Sequence, residues 1–102
     1  MSSVDNKHGK SLMLDSARLA LLQGKHRAAY QLLTDAIQCH PECAEAYFLL
    51  SRIAYDFKNH DKEVEMLARA HQLEPANPVF TVYLARAQVF SGNTVAAVDL
   101  LS

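Results

Sequence analysis

The sequence is poor in residues that interrupt regular structure: its 102 residues include only three glycines and three prolines. Half of it (50%) is hydrophobic. A chain of that composition can bury a substantial core and is not a disordered tail. It also lacks a surplus of either charge, with 10 Lys and Arg against 11 Asp and Glu and a net charge of -1. Nucleic acid as a partner is therefore not expected, because releasing counterions needs a basic footprint. No stretch approaches the roughly 20 apolar residues that cross a bilayer, so no membrane partner is expected. The first ten residues are polar, and the apolar run after them is broken by Asp15 and Arg18, which argues against a signal peptide. Two cysteines without an export signal point to free thiols in a reducing cytoplasm. There is no glycine-rich phosphate loop, no HExxH pair and no strained nucleophile setting. The expectation is no enzyme and no cofactor.

What the chain does have is a period. Pro41 and Pro75 stand 34 residues apart, as do Arg18, Arg52 and Arg86. Ala17, Ser51 and Ala85 precede the arginines, and Leu33, Leu67 and Leu101 share another place. At twice the period, Ala28-Ala29 matches Ala96-Ala97 and Leu32-Leu33 matches Leu100-Leu101. Self-similarity at this spacing is the mark of stacked helical hairpins.

Local chemistry predicts the same elements. Apolar residues recur at three- and four-residue intervals, as amphipathic helices require. Gly24 and Gly92 can take the positive φ that ends a helix, and Asn59 is the expected left-handed residue between them. Pro41 and Pro75 stop the second helix of each pair, since a residue before proline avoids helical geometry. Small residues such as Ala17, Ala29, Ala36, Ser51, Ala70 and Ala85 let helices approach closely. Helices are predicted over about 10–23, 26–39, 44–57, 60–73, 78–91 and 94–102. A flexible leader is expected over 1–9.

With Tyr47, Leu50, Ser51, Ala54, Leu67, Ala70 and Pro75 in these places, the chain resembles the tetratricopeptide repeat (TPR) family over about residues 10 to 102. Ala17, Ala20, Ala29, Leu33, Ala36 and Pro41 carry the likeness in the first repeat, and Leu84, Ala85, Ala97 and Leu101 in the third. The resemblance implies an all-α fold, a right-handed α-α superhelix of about three helical hairpins with the last one truncated. The repeats would span about 10–43, 44–77 and 78–102. Met13 and Thr81 depart from the usual aromatic, Ser16 from a leucine, and Gln88 from a large apolar or small residue. Glu63 stands where the family carries alanine.

In the family the first helix of each repeat lines a concave groove, and Arg18, Arg52 and Arg86 fall at a groove-facing place. Leu14, Phe48 and Val82 lie one turn earlier, and Tyr55 and Phe90 one turn later. The implied groove carries a guanidinium stripe about 20 Å long, bordered by apolar and aromatic surface. Arginine pairs bidentately with carboxylates, so the expected partner is an acidic, apolar protein segment or peptide. Against this stands the reading that the arginines only bridge to neighbouring acids or cover apolar surface, with Glu45 and Asp56 neutralising Arg52. Leu14 and Phe48 replace the polar contacts with which some members hold chaperone tails, which argues against that ligand.

Cys39-His40-Pro41-Glu42-Cys43 is not read as a zinc site, because four converging ligands are missing; Cys39 is expected to be a small core residue. The five histidines scatter, and Lys25-His26-Arg27 reads as a solvated turn. The leading expectation is a protein-protein interaction module. The alternative is a structural, oligomerising or regulatory arm of a larger protein, for example a sulfotransferase-like enzyme. Self-association through the incomplete sixth helix, around Val98 to Leu101, belongs to that alternative.

Overall fold

The computed structural model describes residues 3–102, with side chains from residue 9 onward. Six α-helices follow one another: α1 Ser3–Leu22, α2 His26–Cys39, α3 Ala44–Asp56, α4 His60–Leu73, α5 Pro78–Phe90 and α6 Thr94–Leu101. Each helix packs mainly on the one before and the one after, and α1 also reaches α3. The result is an all-α array of helical hairpins. Five of the six helices match the predicted spans closely. The first starts at Ser3 rather than near residue 10. Of the expected leader over 1–9, residues 1–2 lie outside the described residues, and from Ser3 the backbone is helical.

The turns explain the regularity. Gly24 (φ 73°), Lys58 (φ 58°) and Gly92 (φ 92°) close α1, α3 and α5, each with its backbone in the left-handed region. They stand 34 residues apart. Lys58, not Asn59, therefore takes the strained conformation in the middle hairpin. Asn59 has φ -91° and instead caps α4, its side chain accepting from the Lys62 amide at 3.2 Å. Asn93 caps α6 in the same way, while Lys25, in the equivalent place before α2, makes no side-chain cap. Before α5, Asn77 accepts from the Val79 amide, and Pro78 at the first helical position costs no hydrogen bond there.

The core follows the small-residue line. Ala17, Ala29, Leu33 and Ala36 are completely buried, as are Leu67 and Ala70 farther along. Ala17, Ala20, Ala29 and Leu33 form one cluster with Ala46, Leu49, Leu50 and Ile53 of α3. Leu67 joins Leu84 and Ala87 of α5 in another. Half-buried Phe48 packs against all of these clusters, tilted against Phe80 and Tyr83 at 5.4 and 5.2 Å. The helices bury their apolar stripes against neighbours, which is what holds a repeat array together.

Glu63, in the place where the resemblance leads one to expect alanine, is accommodated within α4. The helix runs unbroken through it with the carboxylate only 1% exposed. Cys39, expected as a small core residue, is instead exposed, and Cys43 is the buried thiol. At 100° per residue, Cys39 sits roughly a quarter turn from the inward line of Ala29, Leu33 and Ala36. Cys43, just before α3, turns inward instead.

Candidate functional site

The helices α1, α3 and α5 bring the three periodic arginines around two adjoining pockets. One, of about 140 Å³, is lined by Arg52 and Arg86 together with Ser51, Tyr55, Asp56, Glu63 and Tyr83. The other, of about 390 Å³, is lined by Arg18 and Arg52 with Leu21, Leu22, Glu45, Phe48, Leu49 and Asp56. Arg52 and Asp56 belong to both, so Arg52 stands at the junction.

The arginines differ in what holds them. Arg18 donates to Asp15 at 2.6 Å on its own helix and to Glu45 on α3. The hydrogen bond to Glu45, opposed by partial burial and aided by the charges of Glu45 and Asp15, holds its guanidinium above arginine's ordinary pKa. Arg86 lies over three rings, with its guanidinium carbon 4.8 Å from the centroids of Tyr55 and Tyr83 and 5.8 Å from that of Phe90. Its Nη2 approaches the Glu63 carboxylate at 3.8 Å. Arg52 is exposed and, among the described residues, has no carboxylate within ion-pair distance. The two acids expected to neutralise it are otherwise engaged. Glu45 pairs with Arg18, and Asp56 faces His26 Nε2 at 2.9 Å.

The flanking residues also separate. Leu14 is buried in the core beside α3, so it presents no surface to a ligand. Phe48 is half-buried under α5, while Val82, Tyr55 and Phe90 are exposed. Two residues join the site that the periodicity did not bring out. Tyr83 supplies one face of the Arg86 cradle. His60 packs 5.2 Å from the Phe90 ring and 6.3 Å from Tyr55, and its Nδ1 lies 2.9 Å from Glu63 Oε1. Tyr83 precedes Arg86 by three residues, a spacing that puts both on one helix face. That signal was readable. His60 carried none, because the rings it packs against, Tyr55 and Phe90, come from α3 and α5.

Chemically, the site offers one unengaged guanidinium, a second one cradled by aromatic rings, and apolar edges. Such a surface is suited to holding a carboxylate and an apolar side chain side by side. Among the described residues no three His, Cys, Asp or Glu side chains come together as metal ligands, and no helix is long and apolar enough to cross a membrane.

No family model matches the sequence. Protein O-mannosyl-transferase TMTC1 of Mus musculus is 30% identical over 69 residues, which is 68% of this chain and 7% of that protein. The Homo sapiens protein of the same name is likewise 30% identical over 69 residues, or 8% of its length. This chain thus spans less than a tenth of the curated relatives it matches. Among solved structures, a mutant O-GlcNAc transferase of Thermobaculum terrenum superimposes with a TM-score of 0.84 at 23% identity, over 94% of this chain and 18% of that one. The crystal structure of MamA protein gives a TM-score of 0.82 at 20% identity, over 90% of this chain and 50% of that one. The fold is an all-α helical-hairpin solenoid, related to that of TPR-containing proteins.

Proposed function

We propose that the chain is a protein-contact module serving as a structural, oligomerising or regulatory arm of a larger protein, and that it performs no catalysis itself. The observation that carries this reading is the disproportion of the matches. The likeness covers 94% of this chain but 18% of an O-GlcNAc transferase, and 68% of it but 7% of an O-mannosyl-transferase. Those names favour a glycosyl-transfer protein over a sulfotransferase-like one as the kind of enzyme such an arm would serve. The finer architecture we propose is a right-handed superhelix of about three TPR hairpins, divided near residues 10–43, 44–77 and 78–102. The two free thiols fit a cytoplasmic location. Expressing the complete polypeptide with and without residues 10–102 tests the role. Loss of assembly or altered regulation, with intrinsic chemistry retained, is the expected result; unchanged assembly, partner binding and regulation would overturn it.

A second reading, the docking of an acidic, apolar protein segment along α1, α3 and α5, is favoured by one observation. Arg52 is exposed at the junction of two pockets while its neighbouring acids are engaged elsewhere. The residues proposed for contact are Arg52 and Arg86, with Arg18, Phe48, Val82, Tyr55 and Phe90 at the borders. Calorimetric titration with synthetic peptides that alternate Glu and Phe tests it. Binding that weakens with salt supports the reading, and equal affinity for Lys–Phe peptides contradicts it.

A further inference from the structure

The 34-residue period lets each apolar position be compared with its own copies. Leu33 and Leu67 are 0% exposed, but Leu101 is 61% exposed. Leu14 is 6% exposed and Phe48 is half-buried, but Val82 is 56% exposed. At the other end the order reverses. Leu12 is 54% exposed whereas Ala46 and Phe80 are 0% and 5%, and Leu19 is 55% exposed whereas Ile53 and Ala87 are 8% and 0%.

The covering groups are visible inside the chain. Leu67 of α4 is covered by Leu84 and Ala87 of α5, and Phe80 of α5 lies against Ala44 of α3 and Ala70 of α4. The α5–α6 end therefore exposes one half of an interface that the chain already builds internally, and α1 exposes the other half. The two halves complement each other by the repeat itself.

We propose that two copies of this chain associate head to tail, α1 of one stacking on the α5–α6 end of the other as α5 stacks on α3 and α4. The proposal deepens the assembly role given above and rests on it. In this register Leu19 of one copy covers Leu101 of the next, and Leu12 approaches Val82. The faces are different surfaces, so the contact is heterologous and does not close after two copies. A net charge of -1 offers little repulsion against it.

Sedimentation equilibrium of the 102-residue chain, from low micromolar concentration upward, tests the proposal. The expected result is a mass that rises past the dimer without a plateau. Leu19→Glu and Leu101→Glu alter residues already exposed in the single chain, so circular dichroism should remain helical. Each should weaken association by about tenfold or more. Mixed in equal amounts they should form a one-to-one dimer, because one retains an intact α5–α6 end and the other an intact α1. A plateau at the dimer, with no rescue on mixing, would mean a symmetric contact; that overturns the head-to-tail geometry but leaves an assembly role. A monomer at every concentration overturns self-association altogether, and the deletion of residues 10–102 then decides separately whether the arm has a regulatory or partner-contact role.

Discussion

The carboxylate of Glu63, on α4, meets the guanidinium of Arg86, on α5, at 3.8 Å from within the packed interior. His60 completes the arrangement at 2.9 Å from the other carboxylate oxygen. The equivalent places in the other hairpins hold Ala29 and Ala97, both buried. An acid here is tolerated only because both of its oxygens face partners. Removing Arg86 leaves a buried charge short of a partner, which costs more than the pair itself contributes. Arg86→Ala is expected to lower unfolding stability by about 1–3 kcal/mol, the half-exposed arginine keeping the loss below that of a fully buried pair. Glu63→Ala combined with Arg86→Ala should lose less than the sum of the two single changes, and urea unfolding of the four proteins measures that coupling.

Arg52 should behave in the opposite way. It has no ion pair among the described residues and projects into solvent, so Arg52→Ala is expected to change stability by less than about 0.5 kcal/mol. Affinity for an acidic, apolar peptide should nevertheless fall about tenfold and become less sensitive to salt. Arg18→Ala should affect binding less, because Asp15 and Glu45 already engage that side chain. A base whose pKa is raised on folding stabilises the chain fully below its ordinary value and loses that contribution only above the folded one. For Arg18 that window lies at strongly alkaline pH, so added salt is the practical probe.

Lys58 holds φ at 58° where the other two hairpins use glycine. A side chain in that region costs about 1–2 kcal/mol, partly offset by glycine's greater freedom when unfolded. Lys58→Gly is therefore expected to stabilise the chain by about 0.5–1 kcal/mol. Thermal unfolding followed by circular dichroism should register a higher Tm, and a lower one would mean that the lysine stem contributes packing.

Gln88 carries a buried amide oxygen that has no hydrogen-bond partner among the described residues, in the place that Ala20 and Ala54 occupy earlier in the period. An unsatisfied buried polar atom costs about 1–3 kcal/mol. Gln88→Met keeps the length of the side chain and removes that cost, with an expected gain of about 1 kcal/mol in chemical denaturation.

The sequence displayed the scaffold because repetition checks itself: a residue type that recurs at Leu33, Leu67 and Leu101 can be read without knowing what it touches. The site was only half legible for the same reason. Periodicity put Arg18, Arg52 and Arg86 on equivalent faces, but which acid each one meets depends on the lateral offset between helices. Glu45 therefore went to Arg18 rather than Arg52, and Asp56 to His26. Leu14, Phe48 and Val82 are equivalent by number yet differ in burial, since neighbours differ along the array. Lys58 takes the left-handed place for a local reason. Asparagine is the better left-handed residue, but here it is more useful as the cap of α4.

Helices that touch chiefly their sequential neighbours leave, among the described residues, no clasp between α1 and α6. Damage at one end is felt only through the intervening hairpins, and the chain has few distant contacts to assemble on the way to its native state. Unfolding should thus proceed like a zip opened from α6, with α3 and α4 the last to lose amide protection.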